Sequence, residues 1–358
     1  MSSISAHYAP AIAPEDYSQA MAELSERYAP PSPFLTRHWF ECWLNSLDHC
    51  VDMVRFFQNQ TLVGVALFSV KRRGPGWLPL ARAHLNQAGN IPCDQVWIEH
   101  NRIQCAEEYQ KGCFQALMEL IFQHLYVAEL QVSMTDCYSE WLATLPTGLH
   151  EHQTVQARIA RLPANGDIIA TLSRNTRPRV RKAFKELEMA FGTIHVSAAK
   201  SSEEKLAWLN ELGHWHRARW QATAEGSGFS NPHFIRHHKG LLHSAPELTD
   251  VVRVAAGEVT IGFSYNLLMG SQVYFYCCGI NYAIATRHIK PGYVLHCAIM
   301  EHYARQGFEN YDFLAGDSQY KRSLATAHYS MHSVTIYAPN WRGKLLQALV
   351  KLKRLISG

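Results

Sequence analysis

Tyr311-Asp312-Phe313-Leu314-Ala315-Gly316-Asp317-Ser318-Gln319-Tyr320-Lys321 is the stretch whose reading decides the fold. A short apolar run ends at Gly316, and a carboxylate (Asp317), a phenol (Tyr320) and an amine (Lys321) follow at once. Upstream, Lys290-Pro291-Gly292 leads into apolar spacing over 293–306 that predicts a helix, closed by Gly307. The order is turn, helix, glycine cap, buried strand, polar loop. It puts ionisable groups at a strand end, where α/β folds keep their chemistry.

Working outward, 173–190 has helical spacing with Ser173 as its N-cap, 194–196 reads as a short strand, and 202–223 as a long helix. Runs at 251–255, 260–268 and 272–278 form a meander with turns at Gly257-Glu258 and Met269-Gly270-Ser271. The first half repeats the order. A helix is expected over 34–47, strands at 54–57 and 62–68, a loop over 82–90, a strand at Val96-Trp97-Ile98, a helix over 107–125 and a strand over 128–134. The reading is an α/β chain with mixed sheets, built as two tandem units. The expected boundaries are an N-terminal extension (1–30), a first unit (31–160), a linker (161–166), a second unit (167–340) and a basic amphipathic C-terminal helix (341–358).

A chain of 358 residues has room for two ordinary domains. No apolar run approaches the roughly 18 residues of a membrane span. Residues 1–14 lack the basic start and apolar core of a signal peptide. The nine cysteines are scattered without a Cys-x-x-Cys, which reads as reduced thiols in a cytosolic protein. The net charge of +4 hides two basic clusters, one at Arg174, Arg177, Arg179, Arg181, Lys182 and Lys185, the other at Arg342, Lys344, Lys351, Lys353 and Arg354. DNA is not an expected partner, and transfer RNA would need a broader basic surface.

With these residues in view, the chain resembles the GNAT acyltransferase superfamily, and within it the CelD-like branch with two tandem GNAT units. Fem-type peptidoglycan aminoacyltransferases share that design. Leu172-Ser173 with Arg177, Val180-Arg181 and Leu187 is similar to the family's basic helix. His216, Trp220 and Phe229 resemble its His-x-x-x-Trp element and the aromatic loop after it. Pro291-Gly292 resembles the turn before the cofactor helix, and Tyr311 to Lys321 the terminal signature. Two departures stand out. The loop after the tryptophan reads Ala224-Glu225-Gly226-Ser227-Gly228, and the phosphate loop is reduced to Arg287-His288-Ile289-Lys290-Pro291-Gly292 with one glycine.

The resemblance implies N-acyl transfer from acyl-CoA to a small-molecule or lipid-linked amine, with a setting in envelope or exopolysaccharide synthesis in the cytoplasm or at the inner face of the membrane; the alternatives are a Fem-like transferase with aminoacyl-tRNA as donor, and a non-catalytic binding or scaffold protein in which Asp317 and Tyr320 only hold the loop. The donor groove is expected in the second unit, the first being degenerate. Such transfer removes a proton from the amine, polarises the acyl carbonyl and protonates a leaving thiolate, with no metal. Asp317 is a general base or a clamp on the substrate ammonium, with burial raising its pKa; the bland alternative is a cap. Tyr320 donates a proton to the thiolate, holds substrate, or is a core tyrosine. His216 accepts the amine proton, or is a core histidine beside a core tryptophan. Lys321, Trp220, Arg177 and Phe229 are candidate substrate contacts. Tyr276 and Gly279 lie on the strand expected to pair with the pantetheine arm; Arg287, Lys290 and Gly292 would meet the pyrophosphate at a helix N-terminus. The histidines at 214, 216, 233, 237 and 238 lack companion cysteines and regular ligand spacing, so no metal is expected. The C-terminal helix either docks on its own domain or lies on an anionic membrane.

Overall fold

A computed structural model describes residues 3–73, 80–223 and 226–357. The chain forms two compact units, one of residues 1–155 and 331–358, the other of residues 156–330. The first carries β1 (Ser5–Ile12), α1 (Pro14–Leu24), α2 (Arg37–Ser46), β2 (Val51–Gln58), β3 (Thr61–Arg73), β4 (Leu80–Leu85), α3 (Ile91–Asp94), β5 (Gln104–Cys105), α4 (Gln110–Glu119), β6 (Glu129–Thr135) and α5 (Tyr138–Trp141). The unit boundary falls inside β7 (His150–Arg161). The second unit carries α6 (Ile168–Thr171), α7 (Thr176–Phe191), β8 (Ile194–Ala198), α8 (Ser202–Trp220), α9 (Pro232–Ser244), β9 (Thr249–Ala256), β10 (Val259–Met269), β11 (Gln272–Ile280), α10 (Pro291–Arg305), β12 (Asn310–Ala315) and α11 (Gln319–Leu324). The chain then passes through β13 (Ala327–Tyr337) into α12 (Trp341–Ser357), ending in the first unit.

The two units share one topology. In the second, β8, β9, β10 and β11 are antiparallel neighbours, β12 runs parallel to β11 after the α10 crossover, and β7 pairs antiparallel with β12. In the first, β1, β2, β3 and β4 are antiparallel neighbours, β6 runs parallel to β4, and β13 pairs antiparallel with β6. The last strands are exchanged: β7 follows β6 in the chain but pairs with β12, while β13 follows β12 but pairs with β6. Each unit has its own apolar core. Phe114 stacks on Trp141 with ring centroids 4.1 Å apart in the first, while Leu187, Val252, Val294, Ile299, Tyr303 and Phe313 are buried together in the second.

Several expectations are corrected. Residues 1–30 are no extension, because β1 pairs with β2 and Tyr17, Met21 and Leu24 are buried. The domain change falls in β7 and not at 161–166, and the chain from Met331 onward, α12 included, belongs to the first unit. The expected loop at 82–90 begins as β4. Its polar residues disguised a strand, because Arg82 sits opposite the fully buried Glu129 on β6 and pairs with it. Val96-Trp97-Ile98 is a turn, with Trp97 at φ 44° and its N–H on the Asp94 carbonyl. The histidine-rich segment after Phe229 forms α9, capped by the Asn231 side chain. Its helical period was hidden because His237 and His238 occupy apolar positions and are fully buried. Among the described residues, no helix is long and apolar enough to cross a membrane.

Candidate active site

β11 and β12 pair only through Gln272↔Asn310, Val273↔Tyr311 and Tyr274↔Asp312. Beyond Tyr274 they separate, although β11 runs on to Ile280 and β12 to Ala315. A β-bulge lies at the point of parting: Phe275 faces Asn266 and Cys277 faces Tyr265, so Tyr276 is the extra residue. Bulges bend a strand and re-aim its side chains. Here, past the bulge, β11 presents an edge with backbone groups that β12 does not use. α10 starts beside this opening, with Gly292 against Ile280.

β12 ends in strained backbone. Leu314 has φ 60°, a region costly for a branched side chain. Two groups hold it there. The Asp312 carboxylate accepts the Leu314 N–H (2.7 Å), and the Lys321 ammonium donates to the carbonyls of Ala315 (2.5 Å) and Leu314 (3.5 Å). The buried Asp312 also accepts the Tyr329 hydroxyl at 2.7 Å. Lys321 thus braces the turn that presents the loop, and its charge acts on Cys278 and His296.

Tyr320 lies flat on the His296 imidazole, centroids 4.9 Å apart and planes 10° apart, with Phe313 edge-on to both. Burial, then the neighbouring Cys278, raises the phenol above its ordinary range, so it stays protonated. Burial also pushes the Cys278 thiol up to about 12 and the His296 imidazole down to about 3. His296 and Cys278 carried no sequence signal as site residues, since a histidine inside a helix and one of nine cysteines look ordinary.

Asp317 corrects an expectation. It is exposed, bound by Arg158 at 2.7 Å and Arg322 at 2.9 Å. The hydrogen bond from Arg158 leads in holding its carboxyl below the usual carboxylate range, the opposite of the rise expected from burial. Arg158 reaches it from β7, over 150 residues away in sequence, which no local pattern could reveal.

The C-terminal half of α8 runs along the end of β11. Gly279 touches the Leu212 backbone so closely that a Cβ would stand 2.3 Å from its oxygen, and the Arg219 guanidinium lies between the rings of Tyr282 and Trp220, 5.7 and 5.6 Å from their centroids. His216 falls between these contacts. Its Nδ1 is 2.8 Å from the Ser227 hydroxyl, and its ring lies beside Phe229 and Trp220. Burial, with Arg217 adding, lowers its pKa to about 4, leaving a neutral imidazole at pH 7. Trp220 is 41% exposed, not core, while Phe229 is buried against Phe234.

Other candidates are placed elsewhere or differently. The Arg177 guanidinium donates to the carbonyls of Ala170 and Leu172, tying α7 to the end of α6. The Tyr276 hydroxyl meets buried His238 at 3.0 Å, so its side chain belongs to the α9 packing. The missing side chain of Gly279 makes room for α8, leaving its backbone alone for a ligand. Arg287 and Lys290 are exposed just before α10, where Thr286 organises the turn by accepting the N–H groups of His288 and Ile289. Of the loop after Trp220, Ala224 and Glu225 lie outside the described residues. Among the described residues, no group of three or more His, Cys, Asp or Glu side chains could hold a metal.

Residues 174–322 match the family model described as "Acetyltransferase (GNAT) domain", the span holding the splayed strands, α8, α10 and the Tyr320 loop. No curated protein matches the chain in sequence. Among solved structures it is similar to FemX, at 11% identity over 96% of this chain and 99% of that one, with a TM-score of 0.58. It is also similar to the C-terminal (DUF2156) domain of a putative lysylphosphatidylglycerol synthetase from Agrobacterium fabrum, at 10% identity over 94% of each chain and a TM-score of 0.54. L-PGS from Bacillus licheniformis matches at 11% identity over 97% and 98%, with a TM-score of 0.51. Identities this low establish a common fold, and they do so along the whole chain. The GNAT match thus lies within the unit of residues 156–330, and the unit of residues 1–155 and 331–358 has the same strand topology.

Proposed function

We propose that this protein is an N-acyltransferase that moves an acyl group from acyl-CoA to an amine. The parting of β11 from β12 inside the GNAT-matched segment carries this reading. The pantetheine arm would lie along β11 past Tyr274, where its pairing with β12 ends, as an added strand, with its pyrophosphate at the N-terminus of α10 near Arg287, Lys290 and Gly292. The amine nitrogen attacks the thioester carbonyl, the C–N bond forms and the C–S bond breaks. Neutral His216 takes the amine proton, directly or through water, and protonated Tyr320 supplies a proton to the departing thiolate. Trp220, Arg219 and Tyr282 wall the acceptor side. An envelope acceptor, small or lipid-linked, is supported by the fold shared with a protein named for lysylphosphatidylglycerol synthesis.

Thermal shift with acetyl-CoA and longer acyl-CoAs tests the donor. Saturation near 100 times Kd should stabilise the protein by about 2.7 kcal/mol. No shift with any of them would overturn the reading. A second reading, aminoacyl-tRNA as donor, draws on the whole-chain likeness to FemX. It predicts RNA binding with a steep salt dependence instead.

A further inference from the structure

α12 has two apolar faces. The inner one is docked: Leu346 is buried beside Leu80, Ala128 and Tyr337, Val350 packs on the same cluster, and Gln347 donates to the Gly148 carbonyl at 3.0 Å. Gly343 approaches Ala338 so closely that a Cβ would stand 2.2 Å from its oxygen. Arg354, near the same side, pairs with Glu151 at 2.8 Å.

At 100° per residue, Trp341, Leu345, Leu349, Leu352, Leu355 and Ile356 form a stripe on the opposite side. Leu349 is 43% exposed, Leu352 53%, Trp341 56%, Ile356 79% and Leu355 81%. Arg342 and Lys353 border the stripe on one flank, Lys344 and Lys351 on the other, and the helix has no acidic residue. Tyr126, 60% exposed, extends the patch, because the Arg342 guanidinium sits 5.5 Å from its ring centroid and 4.9 Å from that of Trp341. Docking and surface exposure are therefore not alternatives for this helix; it does both, through different faces.

An exposed apolar stripe with cations on both flanks and aromatics at one end has the chemistry of an interfacial helix. Cations attract acidic headgroups, and tryptophan and tyrosine favour the headgroup level. A second copy would set cation against cation. We propose that α12 lies in the plane of an anionic lipid bilayer and seats the protein on it, the leucine stripe entering the headgroup–acyl boundary and Arg342, Lys344, Lys351 and Lys353 meeting lipid phosphates. The proposal rests on α12 alone and is independent of the acyl-transfer reading.

The full-length protein should sediment with vesicles of phosphatidylcholine containing about one-third phosphatidylglycerol, weakly with phosphatidylcholine alone, and less as salt rises. L349E/L352E should lower the partition coefficient at least about tenfold without changing the melting curve, since both side chains are exposed. K344Q and K351Q should each lower it about fivefold. Absence of binding to the anionic vesicles at low salt, or undiminished binding by L349E/L352E, would overturn the proposal. So would self-association in analytical ultracentrifugation that L349E/L352E abolishes while vesicle binding is absent; the stripe would then be a dimer interface.

Discussion

Tyr320 and His216 are both neutral at pH 7, burial raising the phenol above its ordinary range and lowering the imidazole to about 4, which suits the proton donor and acceptor proposed for them. Asp317 has neither property, its charge being matched by two guanidinium groups. The three substitutions should therefore separate. Tyr320→Phe and His216→Ala should each lower kcat by about 100-fold, while Asp317→Asn should change it less than about threefold, read from initial rates with acyl-CoA and a model amine. A large loss in Asp317→Asn would return that carboxylate to the chemistry. The pH profile gives a second reading. With the His216 pKa at about 4, its base form persists well below neutrality, so kcat/KM should show no fall near pH 6.5 and decline only toward pH 4. An acid limb centred near 6.5 that His216→Ala removes would contradict the burial argument. Asp317, Tyr320 and Lys321 were legible in sequence as a polar cluster after a strand. Their different settings were not, because Asp317 pairs with Arg158, Tyr320 stacks on His296 and Lys321 braces the Leu314 carbonyl.

At the scale of elements, the proposed groove depends on α8 lying directly on β11. Gly279→Ala would put a Cβ 2.3 Å from the Leu212 oxygen and 2.9 Å from its carbonyl carbon, and backbone cannot rotate away. It should destabilise by about 1–3 kcal/mol, with the melting temperature falling by about 2–4 °C for each kcal/mol. The cost to acyl-CoA affinity should be larger than for Gly270→Ala, which meets only the strain of a positive φ at a turn with open space around it. Equal behaviour of the two variants in calorimetry and acyl-CoA titration would mean that α8 does not set the groove. Periodicity identified α7, α8, α10, α12 and the meander, because their apolar spacing is regular. It missed α9 and β4, where buried neutral histidines and the half-buried Arg82, paired with buried Glu129, break the apolar pattern.

At the scale of the whole molecule, buried histidines make folding sensitive to acid. Burial lowers His84 and His216 to about 4 and His237 and His296 to about 3, and holds His238 well below its ordinary value. The unfolded chain binds these protons near pH 6.5 while the native one does not, so the unfolded state gains protons as pH falls. The stability they contribute is full above about pH 6.5 and is lost as pH drops from there toward about 3. Each group adds up to about 1.4 kcal/mol per pH unit. Urea midpoints measured across that window should fall steeply; a flat profile would show that these rings are not buried in solution. The exchanged strands give a second expectation. Residues 1–155 alone lack β13, leaving the β6 edge unpaired, so this fragment should aggregate or stay unfolded by circular dichroism and gel filtration. Residues 156–330 contain the part of β7 that pairs with β12 and should fold. The sequence by itself determined the class of fold, the tandem order of elements and the polar loop after β12, because hydrophobic period and turn chemistry are local. Only tertiary structure decided which last strand completes which unit, where β11 leaves β12, and which charges meet at Asp317. Those depend on contacts between residues far apart in the chain, which local patterns do not encode.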